Sequence, residues 1–171
     1  MFELSLVKPA RFLVMASSVI SMPMSVAAQG DGKPTVALFV GSWTDTGTYT
    51  QKDGSSMALE GKTHCVAIAS GQGAVCHGTS HPSGKPDKAR PWMIVLDQNA
   101  KGKVNAWSLG AGQNNPTELS GTWAAANKTL QLTNKTHRYT YAFGTDGKLN
   151  FTMEDIAKNS RIVSFTKTPK K

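Results

Sequence analysis

Residues 64–77 read HCVAIASGQGAVCH, and their four outer residues are the densest chemistry in the chain. Two short apolar runs flank Ser70-Gly71-Gln72-Gly73, which predicts a β-hairpin. If the turn centres on Ser70-Gly71, Cys65 faces Cys76 and His64 faces His77. Side chains alternate along a strand, so both cysteines lie on one face and both histidines on the other. A turn centred one residue later makes the cysteines diagonal but leaves them on one face. The cysteine pair therefore predicts a cross-strand disulfide Cys65–Cys76, which suits an oxidising compartment. Its short loop limits the stabilisation to about 3 kcal/mol at most. The same alternation argues against a tetrahedral Cys₂His₂ zinc site, because four ligands cannot converge from two faces of one hairpin. His64 and His77, helped by His81, can hold a metal or a haem iron; otherwise they are polar residues on a solvated face. Cys76-His77 lacks the Cys-x-x-Cys-His pattern of covalent haem attachment.

Other chemistry-bearing patterns fail on spacing. Asp97, Asn99 and Gly102 sit at calcium-loop intervals, but Lys101 takes a ligand position and Ser108 stands where a bidentate Glu is needed. There is no glycine-rich phosphate loop and no Gly-x-Ser-x-Gly elbow. The carboxylates are scattered, and none forms an acid/base pair. No cofactor motif and no catalytic constellation is read, so the chain leans away from enzymes. Three Asn-x-Thr sequons begin at Asn127, Asn134 and Asn150 and matter only in a eukaryotic secretory pathway.

The elements that must position these residues are short strands. Candidates are Trp43–Thr50, Met57–Ala69, Ala74–Ser80, Trp92–Asp97 and Val104–Leu109. Glu118–Ala124, Thr129–Thr133, Arg138–Phe143, Leu149–Met153 and Arg161–Thr166 follow. Clusters of Gly, Asn, Asp, Pro and Lys separate them. A short helical turn fits Thr35–Val40. Asp146-Gly147 suits the positive φ of a tight hairpin between the eighth and ninth strands. Short hairpin-like links favour a meander. The predicted fold is all-β: a single antiparallel up-and-down β-barrel of about ten short strands, closed so that no edge strand is exposed.

A barrel of this kind can hold a small apolar ligand or be filled by its own side chains. His137, Tyr139, Tyr141 and Phe143 share one face and would line the interior. Trp92 with Ile94, or Trp107 with Leu109, supplies further wall. Arg138 then points outward. In the reversed register Arg138 and Thr140 face the cavity and anchor an anionic head group. The two-apart Arg and Tyr of fatty-acid-binding barrels is not met, because Thr140 is the partner of Arg138.

Gly41-Ser42-Trp43 and Gly121-Thr122-Trp123 place Trp behind Gly twice. Glycine lets the backbone bend or approach a neighbouring strand, and the following Trp can seal the end of a barrel. Gly41, Trp43, Gly121 and Trp123 are accordingly structural candidates. Gly-x-Trp on a first strand resembles the start of lipocalin-like barrels, the calycins. With ARPWMIVLD (89–97), KVNAWSLGAG (103–112) and ELSGTWAAANKTLQLT (118–133), the chain resembles an exported bacterial lipocalin-like family of unassigned function. The likeness covers residues 36 to 168. It implies a lipocalin-like barrel and does not choose an activity. Avidin-type barrels also open with Gly-x-Trp, and TGTYT (46–50) echoes them. Here that phrase must lie on the same strand as Trp43, which argues against biotin.

The first 28 residues carry Lys8 and Arg11, an apolar run Phe12–Ile20 and small residues at Ala27 and Ala28. This is the layout of a secretory signal peptide, and the run is short of the roughly 20 residues that span a bilayer. The predicted organisation is a signal peptide over 1–28, a flexible leader over 29–35, the barrel domain over 36–168 and a basic tail over 169–171. The protein is then exported, periplasmic or secreted, and not membrane-spanning. The 171-residue chain carries a formal net charge of +8. Outside the cytoplasm such a surface meets anionic envelope components rather than nucleic acid. Three functions follow as expectations: binding of a small, mainly apolar ligand; an interaction module on an anionic envelope surface; or a His-dependent haem or metal barrel.

Overall fold

The computed structural model describes residues 35–170. The predicted signal peptide, residues 29–34 of the leader and Lys171 of the tail lie outside the described residues. A 3₁₀ turn, Thr35–Phe39, precedes ten strands: β1 Gly41–Thr50, β2 Ser56–Ile68, β3 Gly73–Pro82, β4 Arg90–Gln98 and β5 Lys103–Gly110. β6 Thr117–Ala124, β7 Thr129–Thr133, β8 His137–Phe143, β9 Leu149–Asp155 and β10 Ser160–Pro169 complete the set. Each strand pairs with the next in sequence, and β10 returns to β1, giving a closed ten-stranded antiparallel barrel. Closure satisfies every edge, which an open meander would leave exposed.

The register follows from the side-chain pattern. Cys65 opposes Cys76 and His64 opposes His77. The link between β2 and β3 is a small 3₁₀ turn in which Ala69 and Ser70 take left-handed conformations. Gly147 has φ +77° in the β8–β9 turn, where residues with a Cβ are strained. Across the closing seam Trp43 opposes Pro169, Asp45 opposes Lys167 and Gly47 opposes Phe165. A bulge between Arg161 and Val163 re-aims β10 before it reaches this seam.

The core fills one end of the barrel. Leu96, Val104, Leu130, Leu132 and Leu149 are buried there with Val36 and Phe39 from the 3₁₀ turn. Gln98 fastens that turn: its Oε1 accepts from Val36 N at 3.4 Å and its Nε2 donates to Thr35 Oγ1 at 3.2 Å. Thr35, the last residue of the predicted leader, is already buried.

The two Gly-x-Trp triplets converge on this plug. Trp43 Nε1 donates to the Phe39 carbonyl at 3.0 Å. Trp123 packs edge-on to Phe143, which packs edge-on to Phe39, with ring centroids 5.9 and 5.0 Å apart. Gly121 is required by close approach, because a Cβ there would collide with the backbone carbonyl of Gln131 on β7. Gly41 opens β1 at φ +138°, a conformation that side chains rarely adopt.

Candidate functional site

Above the plug the barrel keeps a cavity of about 230 Å³. Its floor is Phe39 and Trp43, and the Cys65–Cys76 disulfide forms part of its wall. Trp92 and Ile94 of β4 stand on one side. Tyr139, Tyr141, Phe151 and Phe165 of β8, β9 and β10 stand on the other. The rings brace one another: Tyr141 lies against Phe151 at 4.8 Å and edge-on to Phe39 at 5.1 Å, and Tyr139 meets Phe151 at 5.6 Å. Burial pushes the Tyr139 phenol up, with the Ser108 hydroxyl pulling the other way. Tyr141 is pushed up further by burial, with Tyr139 adding to it.

One ion pair stands among these rings. Lys167 Nζ donates to Asp45 Oδ2 at 2.8 Å and to Thr63 Oγ1 at 2.7 Å. The Thr63 hydroxyl in turn donates to Asp45 Oδ2 at 2.5 Å. The side chains of Lys167 and Asp45 are 7% and 3% exposed. The ammonium lies 5.0 Å from the Trp92 ring centroid and 5.5 Å from that of Phe165, within reach of both π faces. Burial lowers the Lys167 pKa, and Asp45 opposes that shift. Asp45 Oδ1 accepts no hydrogen bond among the described residues. Lys167 and Thr63 line the cavity, so the cation is part of its surface.

Of the residues singled out from sequence, Trp92, Tyr139 and Tyr141 line this cavity. Phe143 points inward but belongs to the plug, against Phe39 and Trp123. His137 is at the start of β8, away from the cavity. Its Nδ1 lies 2.8 Å from Thr136 Oγ1, and its backbone N–H donates to Asn134 Oδ1. Trp107 is not in the wall: β5 turns Val104, Ala106 and Ser108 inward, which leaves Trp107 36% exposed on the outer face. Arg138 points outward and pairs with Glu154 on β9 at 3.3 Å. The reversed register, with Arg138 and Thr140 inside, is corrected by this pairing.

The cysteines form the predicted disulfide and face inward. His64 and His77 therefore face out, with rings 5.6 Å apart and the His64 Nδ1 2.9 Å from Ser42 Oγ. They share a shallow surface depression with Lys62 and Lys170, whose charges disfavour a metal cation. His81 is elsewhere, its Nδ1 3.0 Å from its neighbour's carbonyl oxygen, that of Pro82. No group of three His, Cys, Asp or Glu able to hold a metal occurs among the described residues.

Asp45, Thr63 and Lys167 were not singled out from sequence, although alternation carried the signal. Asp45 shares the face of Trp43 on β1, and Lys167 shares the face of Phe165 on β10. Each is a charge on an apolar face at one end of the domain, and only barrel closure brings the two together.

No family model matches the chain, and no curated protein matches it either. Among solved structures it is similar to an S-type phycobiliprotein lyase, CPES, from Guillardia theta. The TM-score is 0.54 at 10% sequence identity, over 80% of this chain and 90% of that one. At that identity the likeness shows the fold: this chain is a lipocalin-like barrel.

Proposed function

We propose that the protein is an exported, non-catalytic binding protein for a small, mainly apolar ligand held inside the barrel. The observation that carries this reading is the cavity of about 230 Å³ walled by Trp92, Tyr139, Tyr141 and Phe151. A chain that needed only a core would fill this space, since interiors pack to crystal-like density and voids cost stability. The volume exceeds the roughly 150 Å³ that accepts a benzene ring and falls short of the roughly 300–1,000 Å³ of drug-sized sites. The ligand is therefore about the size of one or two fused rings, or a short branched chain. Export rests on the N-terminal layout, and the disulfide supports it, because such bonds persist in oxidising compartments. The similar barrel of a phycobiliprotein lyase fits a fold that takes a guest, but the cavity argues for something small.

Native mass spectrometry of protein taken from the exported compartment tests this, with solvent extraction of any retained molecule. A bound small molecule is expected. Titration of the bare protein with naphthalene is the second readout, since Trp43 and Trp92 at the cavity should report its entry by a change in fluorescence. Bare protein that is also blind to naphthalene overturns the reading.

A further inference from the structure

Both members of the interior ion pair keep unspent hydrogen-bonding capacity. Lys167 has three N–H donors; two go to Asp45 Oδ2 and Thr63 Oγ1, and the third meets no acceptor among the described residues. That ammonium faces the cavity between the Trp92 and Phe165 rings. Asp45 Oδ1 likewise has no hydrogen-bond partner among the described residues. Buried ion pairs add little stability even when fully satisfied, and this one is not satisfied. Lys167 and Thr63 stand in the wall of a mainly apolar cavity, and that position points to a ligand.

We propose that Lys167 anchors the polar head of the ligand, and that this head is a neutral oxygen acceptor of the ketone or carbonyl class rather than a carboxylate. The proposal rests on the cavity reading above and adds the ligand's chemistry to it. Charge decides between the two heads. Asp45 already neutralises Lys167, so a carboxylate would bring a third, uncompensated charge among aromatic rings, where desolvation is expensive. A carbonyl oxygen takes the remaining N–H without adding charge. Thr63 cannot compete for it, because its hydroxyl already donates to Asp45 and accepts from Lys167. The ligand's apolar body then lies along Tyr139, Tyr141 and Phe151.

Calorimetric titration of the wild-type protein at neutral pH with naphthalene, acetylnaphthalene and naphthoate tests this on one skeleton. Acetylnaphthalene is expected to bind roughly tenfold or more tightly than naphthalene, the effect of one hydrogen bond from a charged donor. Naphthoate is expected to bind more weakly than both. Tightest binding by naphthoate overturns the neutral head. Equal binding of naphthalene and acetylnaphthalene overturns the anchor while leaving the cavity reading intact. Failure of all three probes removes the cavity reading itself. The double variant Asp45→Asn/Lys167→Met, which buries no charge, assigns the effect. The ratio of acetylnaphthalene to naphthalene affinity should fall to about one, and a ratio that stays at its wild-type value overturns the role of Lys167. The wild-type series stands alone should the double variant fail to fold.

Discussion

At Lys167 the cost of a charge in the core and its use as an anchor meet in one side chain. Its aliphatic stem lies among rings, and its ammonium is held by Asp45 and Thr63. Removing one partner strands the other. Lys167→Met is expected to lose roughly 3–5 kcal/mol in urea denaturation, because Asp45 is left as an unpaired buried carboxylate. The double variant Asp45→Asn/Lys167→Met should recover most of that loss, since a neutral pair carries no such desolvation cost. Equal losses in the single and double variants would show that packing, not charge, sets the energy. A second residue acts through space alone. Gly121→Ala drives a methyl into the Gln131 carbonyl, and overpacking of this kind costs about 1–3 kcal/mol. An unchanged denaturation midpoint for Gly121→Ala would mean that β6 and β7 can part without cost. Gly121 was legible from its local sequence as a point of close backbone approach to a neighbouring strand, and Lys167 was not legible as a functional residue. Gly121 stood out through its Trp, but Lys167 reads as one more lysine of a basic C-terminal stretch.

The hairpin of β2 and β3 shows where sequence reading succeeds at the scale of elements. Local chemistry sets it: two apolar runs, a glycine-bearing turn and paired Cys and His, so a single assumption about the turn placed Cys65 opposite Cys76. The ten strands were legible for the same reason, since each is bounded by residues that end strands. β5 shows where it fails. Apolar residues occupy both faces there, Val104 and Ala106 on one and Trp107 and Leu109 on the other, so alternation alone does not say which is inside. The face with the smaller side chains went in, because β4 and β6 on either side already bring Trp92 and Trp123 toward the interior. Trp107 was left beside Glu118 on the neighbouring strand. The disulfide spans 11 positions, a loop whose closure entropy limits its contribution to about 3 kcal/mol. The double variant Cys65→Ala/Cys76→Ala should therefore fold into the same barrel with a loss no greater than that, read by denaturation under non-reducing conditions. A chain that no longer folds at all would show that the bridge sets the hairpin rather than fastening it.

At the scale of the whole molecule, closure of β10 onto β1 is the least local event, and it creates both the cavity and the ion pair within it. The predicted closed barrel already implied that the first and last strands meet, but not the register that sets Asp45 opposite Lys167, which is why the candidate site was half read: its aromatic wall was legible, its cation was not. The enclosed interior also sets the response to alkali. Tyr139 and Tyr141 have pKa values raised above the ordinary 10.0, chiefly by burial. A group raised in the folded state lends stability that is complete below the unfolded pKa and is lost as pH climbs beyond it. Lys167 has the opposite sign, because its folded pKa lies below the ordinary 10.5. The unfolded chain then binds the extra proton, and stability gains as pH rises between the two values. The balance predicts a thermal midpoint that holds or rises slightly up to about pH 10 and falls beyond it. The unfolding free energy beneath that midpoint should fall more steeply by up to about 1.4 kcal/mol per pH unit for each tyrosine that ionises only on unfolding. Calorimetry of the wild type and Tyr141→Phe across this range separates the phenol from the lysines and the net charge. The variant should lose one tyrosine's share of the slope. The ultraviolet signal of the phenolate supplies the check: at Tyr141 it should appear only as the barrel opens, and its appearance in folded protein near pH 10 would mean that water already reaches the cavity wall at Tyr141.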